Sequence, residues 1–303
     1  MAPRFDEIEA ELAMLRERRL KPSGTIRISA GEHSALTVLQ PALARLLPQY
    51  PDIHVELIAD NRMTDIVAET RDKLISLAIK DGAQSTEYTT YLDGLSYELY
   101  ALFNQGRVFE QWMLNPVMLL LSKYLLGENM ILNNSLAYVK GKTDKYLRMH
   151  SDTLMVPDPL PEYRHLINMS VALTDYTVAG GCIGIVPGSH KLRRHPTAAE
   201  ALEYDLMVPV ECPAGSLIVI PGNTWHGAYP KTTDGLRVTL VHGFSRRYLQ
   251  PYVSTEVDEA ILARNPPEFG RLLGKGSWMG FGQDGVDPAL MAPTYVSARS
   301  QLS

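Results

Sequence analysis

The periodicity of apolar residues changes after Asn133, and this change limits the possible folds more than any other property of the sequence. From Leu95 up to that point apolar residues recur at helical spacing, whereas beyond it short alternating segments are separated by turn residues such as Gly141 and Asp144. Residues 166–174 are the clearest such segment, and their small polar face suits either the wall of a ligand cavity or a sheet face in water. The sequence therefore predicts a mainly β fold with flanking helices.

The N-terminal part has a different pattern. Residues 5–19 predict an exposed amphipathic helix, and residues 25–29, 36–50 and 54–59 predict a strand, a helix and a second strand. These elements form a short β-α-β segment ahead of the β core. Two further helices are expected between them, at residues 95–103 and 109–126.

Composition excludes several classes of protein. A chain of 303 residues with 45% apolar residues can bury a sizeable core, and a net charge of −5 provides no basic surface for nucleic acid or an anionic membrane. Only Cys182 and Cys212 are present, so we expect buried thiols and a reducing compartment. Residues 1–19 lack the apolar region of a signal peptide, and the longest apolar run, residues 113–126, is too interrupted to span a bilayer. We therefore expect a cytoplasmic protein.

His150 and Asp152 are the first candidates for chemistry. Residues two apart on a β-strand point to the same face, so both side chains could bind one metal ion. The pair alone is weak evidence, because His54 and Glu56 repeat the spacing, and there an ordinary strand with a polar face in water is the simpler interpretation. A third ligand must come from elsewhere, and His226 is the candidate. Two imidazoles and one carboxylate on one side of a metal are the arrangement of non-heme Fe(II) oxygenases.

Arg237 is the candidate for binding an anion. It follows the tight-turn signal Asp234-Gly235 and lies opposite the apolar face of the predicted strand at residues 236–244, so in a barrel it points inward. A buried arginine is costly without an anion, and its planar fork offers two donors to a carboxylate. A dicarboxylate such as 2-oxoglutarate, bound to the metal at its other end, would supply that anion across a hairpin from His226. The alternative is a surface arginine paired with Asp234 or Glu211.

Three other basic residues near these candidates are interpreted differently. His190 and His195 lie in a loop among lysine and arginine residues that would repel a cation, so both are expected to be hydrogen-bonding loop histidines. Arg148 lies two residues before His150, where a regular strand would aim a cation at the metal. Either the strand is bulged there or Arg148 lies beyond the rim, where it could meet an acidic substrate.

The first quarter of the chain resembles a known family. The run Lys21-Pro22-Ser23-Gly24-Thr25-Ile26-Arg27-Ile28-Ser29-Ala30, with residues 39–57 and 61–67, is similar to the opening of the effector-binding domain of LysR-type transcriptional regulators. The preceding helix is similar to their linker helix. Because no DNA-binding helix-turn-helix precedes this segment and the rest of the effector domain does not follow, regulator function is not expected.

A second resemblance covers residues 95–274. The order of His150-x-Asp152, residues 172–177, residues 181–191, His226 and Arg237 resembles the phytanoyl-CoA dioxygenase family of Fe(II)- and 2-oxoglutarate-dependent oxygenases. The resemblance implies a double-stranded β-helix, or jelly roll, in which His150, Asp152 and His226 bind iron and Arg237 binds the distal carboxylate of 2-oxoglutarate.

Two parts and one reaction class are therefore expected. Residues 1–72 are predicted to be a LysR-like β-α-β fragment with an N-terminal helix, and residues 73–303 a jelly-roll oxygenase domain. The predicted activity is a dioxygenase that uses Fe(II), 2-oxoglutarate and O₂ to oxidise a small organic substrate, with release of succinate and CO₂. The alternatives are a non-catalytic ligand-binding sensor or regulator module that carries a LysR-derived fragment, and a cupin-like hydrolase or isomerase with another metal.

Overall fold

The computed structural model of this chain describes residues 24–30, 43–44, 53–59, 62–82, 96–276, 281–282 and 285–286. The chain divides into two compact units, Met1–Ile66 and Val67–Ser303. The helix predicted at residues 5–19 lies outside the described residues. Within the described residues, no helix is both long enough and apolar enough to cross a bilayer.

The smaller unit contains two parallel strands. β1 (Gly24–Ala30) pairs with β2 (Ile53–Ala59) over its whole length, with Gly24 opposite Ile53 and Ala30 opposite Ala59. Parallel neighbours require a crossover connection between them, and Leu43 and Ala44 within that connection are helical. The described residues thus agree with the predicted β-α-β segment.

The described part of the larger unit combines a helical layer with two large β-sheets and a separate two-stranded sheet. Its described helices are α1 (Arg62–Gly82), which begins in the smaller unit, α2 (Arg107–Met113), α3 (Pro116–Leu126), α4 (Glu259–Ala263) and α5 (Pro267–Leu272). Its described strands are β3 (Ser96–Tyr100), β4 (Ile131–Lys140), β5 (Leu147–His150), β6 (Leu166–Ala172), β7 (Ile183–Ile185), β8 (Val208–Pro209), β9 (Leu217–Pro221), β10 (His226–Ala228), β11 (Arg237–Ser245), β12 (Phe281–Gly282) and β13 (Gly285–Val286).

Two antiparallel sheets form the jelly-roll core, which confirms the predicted fold class. One sheet has the strand order β3-β4-β11-β6-β9 and the other the order β5-β10-β7-β8. Because β10 and β11 belong to different sheets, the prediction that His226 and Arg237 flank a hairpin is wrong. The chain instead crosses from one sheet to the other through a turn at Gly235, whose φ of 80° favours glycine.

Strand β11 shows how one sequence serves both faces of its sheet. Val238, Leu240 and Phe244 are buried against the helical layer, which contacts β11 through α3. Arg237 and Thr239, on the alternate face, point into the space between the sheets. The predicted alternation of this strand is therefore confirmed.

The predicted helix at residues 109–126 is interrupted near its middle. Pro116 occupies the first turn of α3, where its missing N–H costs nothing, and the Asn115 side chain caps the helix by accepting from the backbone N–H groups of Val117 (3.0 Å) and Met118 (3.2 Å). The helix ends at Gly127, as predicted.

The helix predicted at residues 95–103 is wrong. The structure has the strand β3, which pairs with β4 from Ser96 opposite Lys140 to Tyr100 opposite Leu136, followed by a 3-10 turn at Leu102–Asn104. Aromatic residues on both faces of this edge strand, Tyr97 and Tyr100, conceal its alternation.

Candidate active site

His150, Asp152 and His226 lie together between the two sheets. His150 ends β5, Asp152 follows two residues later, and His226 begins β10 directly opposite His150 in the antiparallel ladder. One potential ligand atom from each residue lies within 4.8 Å of the others. Asp152 directs one oxygen at each histidine, with Oδ1 3.6 Å from Nε2 of His150 and Oδ2 3.5 Å from Nε2 of His226.

Backbone carbonyls orient both imidazole rings. Nδ1 of His150 lies 3.0 Å from the carbonyl oxygen of Arg148, and Nδ1 of His226 lies 3.0 Å from that of Thr224. A carbonyl only accepts, so each Nδ1 donates and each Nε2 is left to face Asp152. The side chain of Arg148 is exposed, and its backbone carbonyl is the group that contacts His150.

The site is open on one side. The His150 side chain is 33% exposed, whereas the side chains of Asp152 and His226 are 14% and 10% exposed. A molecule that approached a metal ion held by these three residues would therefore come from the His150 side.

The Asp152 carboxylate is also held by neutral donors. Nδ2 of Asn168 donates to its Oδ2 at 2.7 Å, and Asn134 in turn donates to Asn168 at 3.2 Å. Gly243, whose N–H donates to Asn134 at 2.8 Å, faces this amide pair, and a Cβ built there would lie only 2.4 Å from Nδ2 of Asn134. Glycine is thus required by close approach of the amide pair.

The charges of the site balance one another. Burial opposes ionisation of Asp152, but the two histidines and Asn168 hold the pKa of its carboxyl at about 2. Burial also disfavours the charged form of His150, but hydrogen bonding and attraction to Asp152 raise its pKa. Burial lowers the pKa of His226 despite Asp152, and the positive charge of His150 lowers it further. Asp152 is therefore ionised, and a metal ion at the site would compete with a proton for the imidazole of His150.

Arg237 is buried at the far end of the same interior. Its Nη1 donates to the carbonyl oxygen of Gly181 at 2.7 Å, and its guanidinium carbon lies 5.4 Å from the centre of the Tyr176 ring. Its Nε is buried and has no hydrogen-bond partner among the described residues. The alternative of a surface arginine is wrong, because Glu211 accepts from the backbone of Val178 and Asp234 pairs with Lys142.

Lys140 is a site residue that sequence reasoning missed. It lies directly opposite Arg237 in the ladder, is buried, and donates to the carbonyl oxygen of Tyr229 at 3.0 Å. Burial, with Arg237 and Lys231 nearby, lowers the pKa of Lys140 to about 8. A sequence signal for it exists, since Tyr138 and Lys140 alternate with Ala137 and Val139 at the end of β4.

Two family models match this chain. Residues 64–239 match the phytanoyl-CoA dioxygenase (PhyH) family. The chain belongs to that family. Residues 19–101 match the LysR substrate-binding domain. Both resemblances read from the sequence are therefore confirmed.

Individual relatives cover one part of the chain or the other. Dioxygenase af480 of Aspergillus fumigatus is 28% identical over 191 residues, which make up 62% of this chain and 60% of af480. A putative transcriptional regulator of Pseudomonas aeruginosa is 51% identical over 74 residues, which are 24% of each protein. The chain thus spans less than two thirds of the length of these relatives.

Solved structures share the jelly-roll fold of this phytanoyl-CoA dioxygenase family member. AviO1 from Streptomyces viridochromogenes Tue57 has a TM-score of 0.51 at 19% identity over 64% of this chain and 89% of AviO1. EctD from S. alaskensis, solved with 2-oxoglutarate and 5-hydroxyectoine, has a TM-score of 0.50 at 22% identity over 66% of this chain and 76% of EctD.

Proposed function

We propose that this chain is an Fe(II)- and 2-oxoglutarate-dependent dioxygenase that hydroxylates a small organic substrate and releases succinate and CO₂. In this proposal His150, Asp152 and His226 bind the iron, and Arg237 binds the distal carboxylate of 2-oxoglutarate. The observation that carries it is that three potential ligand atoms lie within 4.8 Å of one another. Two of the residues, His150 and His226, are 76 residues apart in the sequence.

The three residues fit a ferrous ion. Two imidazole nitrogens and a carboxylate oxygen are the donors of the facial arrangement found in non-heme Fe(II) oxygenases. Ligand bonds of about 2.1 Å at right angles would bring donor atoms to about 3 Å from one another. Oδ1 of Asp152 faces His150 and Oδ2 faces His226, so one oxygen must move toward both imidazoles to meet that requirement, from a starting arrangement in which the three ligand atoms already lie within 4.8 Å of one another.

The far end of the interior fits a carboxylate. Arg237 and Lys140 face each other across the ladder, and neither forms an ion pair with a carboxylate among the described residues. Like charges directly opposite on a sheet are destabilising, and burial makes the repulsion stronger. A bound carboxylate would accept from the unpartnered Nε of Arg237 and relieve the repulsion between the two cations.

The residues of the chain have distinct parts in the proposed reaction. Bound iron supplies the oxidising chemistry with O₂ and 2-oxoglutarate. Asp152 and the two histidines hold three positions on one side of the ion, and Arg237 with Lys140 fixes the co-substrate from its other end. The open His150 side admits the substrate.

We also propose that the chain has two parts, a LysR-like fragment at residues 1–72 and an oxygenase domain at residues 73–303. The match of residues 19–101 to the LysR substrate-binding domain and that of residues 64–239 to the phytanoyl-CoA dioxygenase family support this division. The α1 helix, Arg62–Gly82, lies where the two matches overlap and contains both the proposed boundary at residue 72 and the division between the two compact units after Ile66.

The proposal is tested first by spectroscopy. Anaerobic addition of Fe(II) and 2-oxoglutarate should give a weak visible charge-transfer band, which needs both molecules bound together. Addition of O₂ should then convert 2-oxoglutarate to succinate. A band without succinate, whichever small lipophilic or amino-acid-like compound is supplied, would favour the ligand-binding sensor.

Asp152→Ala should abolish both the band and succinate formation, because it removes the anionic ligand that faces both histidines. Asp175→Ala, which changes an acidic residue outside this cluster, is the matched control. Succinate formation by Asp152→Ala at the wild-type rate would refute the assigned iron site.

Arg237→Ala should raise the 2-oxoglutarate concentration needed for half-maximal band intensity by at least about 30-fold, as expected when a charged hydrogen-bond donor worth about 2 kcal/mol is lost. Lys142→Ala removes an exposed cation two residues beyond Lys140 and should change nothing. An unaltered 2-oxoglutarate requirement in Arg237→Ala would contradict the role of the arginine.

A further inference from the structure

One loop contacts both segments that carry the candidate metal ligands. We call residues 189–195, which begin with the 3-10 turn Ser189–Leu192, the clamp segment. The sequence predicts that its two histidines, His190 and His195, are hydrogen-bonding loop residues, and the His195 ring does form such bonds. In the structure the clamp segment reaches residues adjacent to all three ligands.

On the His226 side the clamp segment binds Trp225. Oγ of Ser189 accepts from the Trp225 backbone N–H at 2.9 Å, and the carbonyl oxygen of Arg194 accepts from its indole N–H at 2.8 Å. The Arg194 guanidinium carbon lies 4.9 Å from the indole ring centre. Trp225, the residue before His226, is almost completely buried, and two hydrogen bonds and one cation–π contact with the clamp segment fix its position.

On the other side the clamp segment binds Ser151, the residue between His150 and Asp152. Oγ of Ser151 lies 2.7 Å from Nδ1 of His195. Ser151 is fully buried, and its side chain points away from the metal face because the ligands on either side of it occupy that face. Oγ1 of Thr153 also reaches Ser151, at 3.4 Å.

The surroundings of His195 determine which way this hydrogen bond runs. Nε2 of His195 lies 2.8 Å from the carbonyl oxygen of Val156, which can only accept, so Nε2 carries the hydrogen. In the neutral ring Nδ1 is then the acceptor, and the Ser151 hydroxyl donates to it. The His195 backbone N–H is held in turn by Oδ1 of Asp158, at 3.2 Å.

These contacts do not form a hydrolytic triad. Ser151 is inaccessible to any substrate, and Asp158 Oδ1 lies 3.8 Å from the same nitrogen, Nε2, that already donates to Val156. The geometry instead suits a support that holds the backbone of Ser151 in place from behind the metal face.

We propose that His195 is a positioning residue for the iron site, and that it acts through Ser151 to fix the spacing of His150 and Asp152. This inference rests on the proposed iron site. The clamp segment thereby links the ligand pair at the end of β5 to the ligand that begins β10. Hydrogen-bonded supports behind the ligands of a metal site set their orientation, and their loss weakens metal affinity by about 10- to 100-fold.

The test uses the full chain and Co(II), which binds to the donors proposed for Fe(II) and has a visible spectrum without turnover. Co(II) affinity is measured by competition with a chelating dye for wild type, Ser151→Ala, His195→Leu and His195→Asn. The Asn side-chain oxygen can replace Nδ1 as acceptor, whereas Leu offers no acceptor. His190→Leu, which changes an exposed histidine of the same clamp segment, is the matched control.

We expect Ser151→Ala and His195→Leu each to weaken Co(II) binding by about 10- to 100-fold, and the double variant to weaken it no further, because both remove the same hydrogen bond. His195→Asn should restore affinity to within about threefold of wild type, and His190→Leu should not change it. Thermal unfolding without metal shows whether each variant folds, and if His195→Leu does not, Ser151→Ala decides.

Three results would overturn the inference, each in a different way. Wild-type protein that binds Co(II), with an affinity unchanged in Ser151→Ala and His195→Leu, would refute the positioning role and leave the iron site standing. Wild-type protein that binds no Co(II) would refute the iron site and the positioning role together. A His195→Asn variant as weak as His195→Leu would refute the acceptor role of the histidine.

Discussion

Replacing Lys140 by methionine should have two effects of opposite sign. Lys140 is buried opposite Arg237 and near Lys231, with no carboxylate partner among the described residues. Methionine is of similar length and has no charge. If Lys140 and Arg237 bind the distal carboxylate of 2-oxoglutarate, Lys140→Met should stabilise the protein in the absence of 2-oxoglutarate and weaken 2-oxoglutarate binding.

The size of the first effect follows from the pKa of Lys140. Burial, Arg237 and Lys231 lower that pKa from 10.5 to about 8. A difference of one pKa unit corresponds to about 1.4 kcal/mol, so keeping Lys140 charged at pH 7 costs the folded state about 3 kcal/mol. Loss of the hydrogen bond from Nζ to the Tyr229 carbonyl offsets about 1 kcal/mol of the gain. Lys140→Met should therefore raise the free energy of unfolding by about 2 kcal/mol at pH 7.

The sign of the pH dependence follows from the same shift. Between pH 8 and pH 10.5 the folded state has released the Lys140 proton while the unfolded state still binds it, so wild-type stability should rise with pH across that window. The advantage of Lys140→Met should shrink over the same range and disappear near its upper end.

Urea unfolding followed by circular dichroism, at pH 7 and near pH 10 without 2-oxoglutarate, measures the first effect. Titration of the anaerobic Fe(II) band with 2-oxoglutarate measures the second, and we expect at least about a tenfold loss of affinity from removing one charged donor. Lys142→Met, at an exposed position, is the control for both. A Lys140→Met variant less stable than wild type at pH 7, or one with unchanged 2-oxoglutarate affinity, would refute the reasoning.

Two further predictions concern the metal end of the interior. Gly243→Ala should lower the free energy of unfolding by about 1–3 kcal/mol and reduce Co(II) affinity, because the added Cβ would push Asn134 and Asn168 away from Asp152. Gly270→Ala is the control, since its Cβ would meet no atom nearer than 3.6 Å. Equal losses of stability in the two variants, measured by urea unfolding, would refute this. Co(II) affinity should fall as the pH falls from 8 to 6, because Asp152 raises the pKa of His150 and the proton then competes with the metal; a pH-independent affinity would refute it.

The candidate ligands His150 and Asp152 could be paired from the sequence because residues two apart on a strand share a face. In the structure β5 ends at His150, so the position of Asp152 also depends on its hydrogen bonds to Asn168 and Gly222. The family resemblance was needed to support His226 as the third ligand. His226 lies 76 residues after His150 and comes close to it only because β10 pairs with β5.

Residues that depend on register could not be predicted in the same way. Lys140 follows an alternating pattern at the end of β4 and Asn134 lies in the polar run 133–135, but the neighbours of both are set by pairing with β11, where Arg237 lies opposite Lys140 and Gly243 opposite Asn134. The strand β3 was assigned as a helix for a related reason. Its inner and outer faces are both partly polar and aromatic, so only its pairing with β4 determines its conformation.

Ser151, the middle residue of the His-x-Asp pair, explains how the clamp segment, which contains no candidate ligand, positions two of them. On a strand, the alternation that aims His150 and Asp152 at one face necessarily aims Ser151 at the other. Any slip of the backbone at this point would move both ligands at once, since β5 ends at His150 and no ladder partner follows. The hydrogen bond from Asp152 N–H to the Gly222 carbonyl, at 3.0 Å, limits movement on one side, and the bond between Ser151 and His195 limits it on the other. The precision of a site at the end of a strand thus depends on the contacts of a residue that cannot touch the metal.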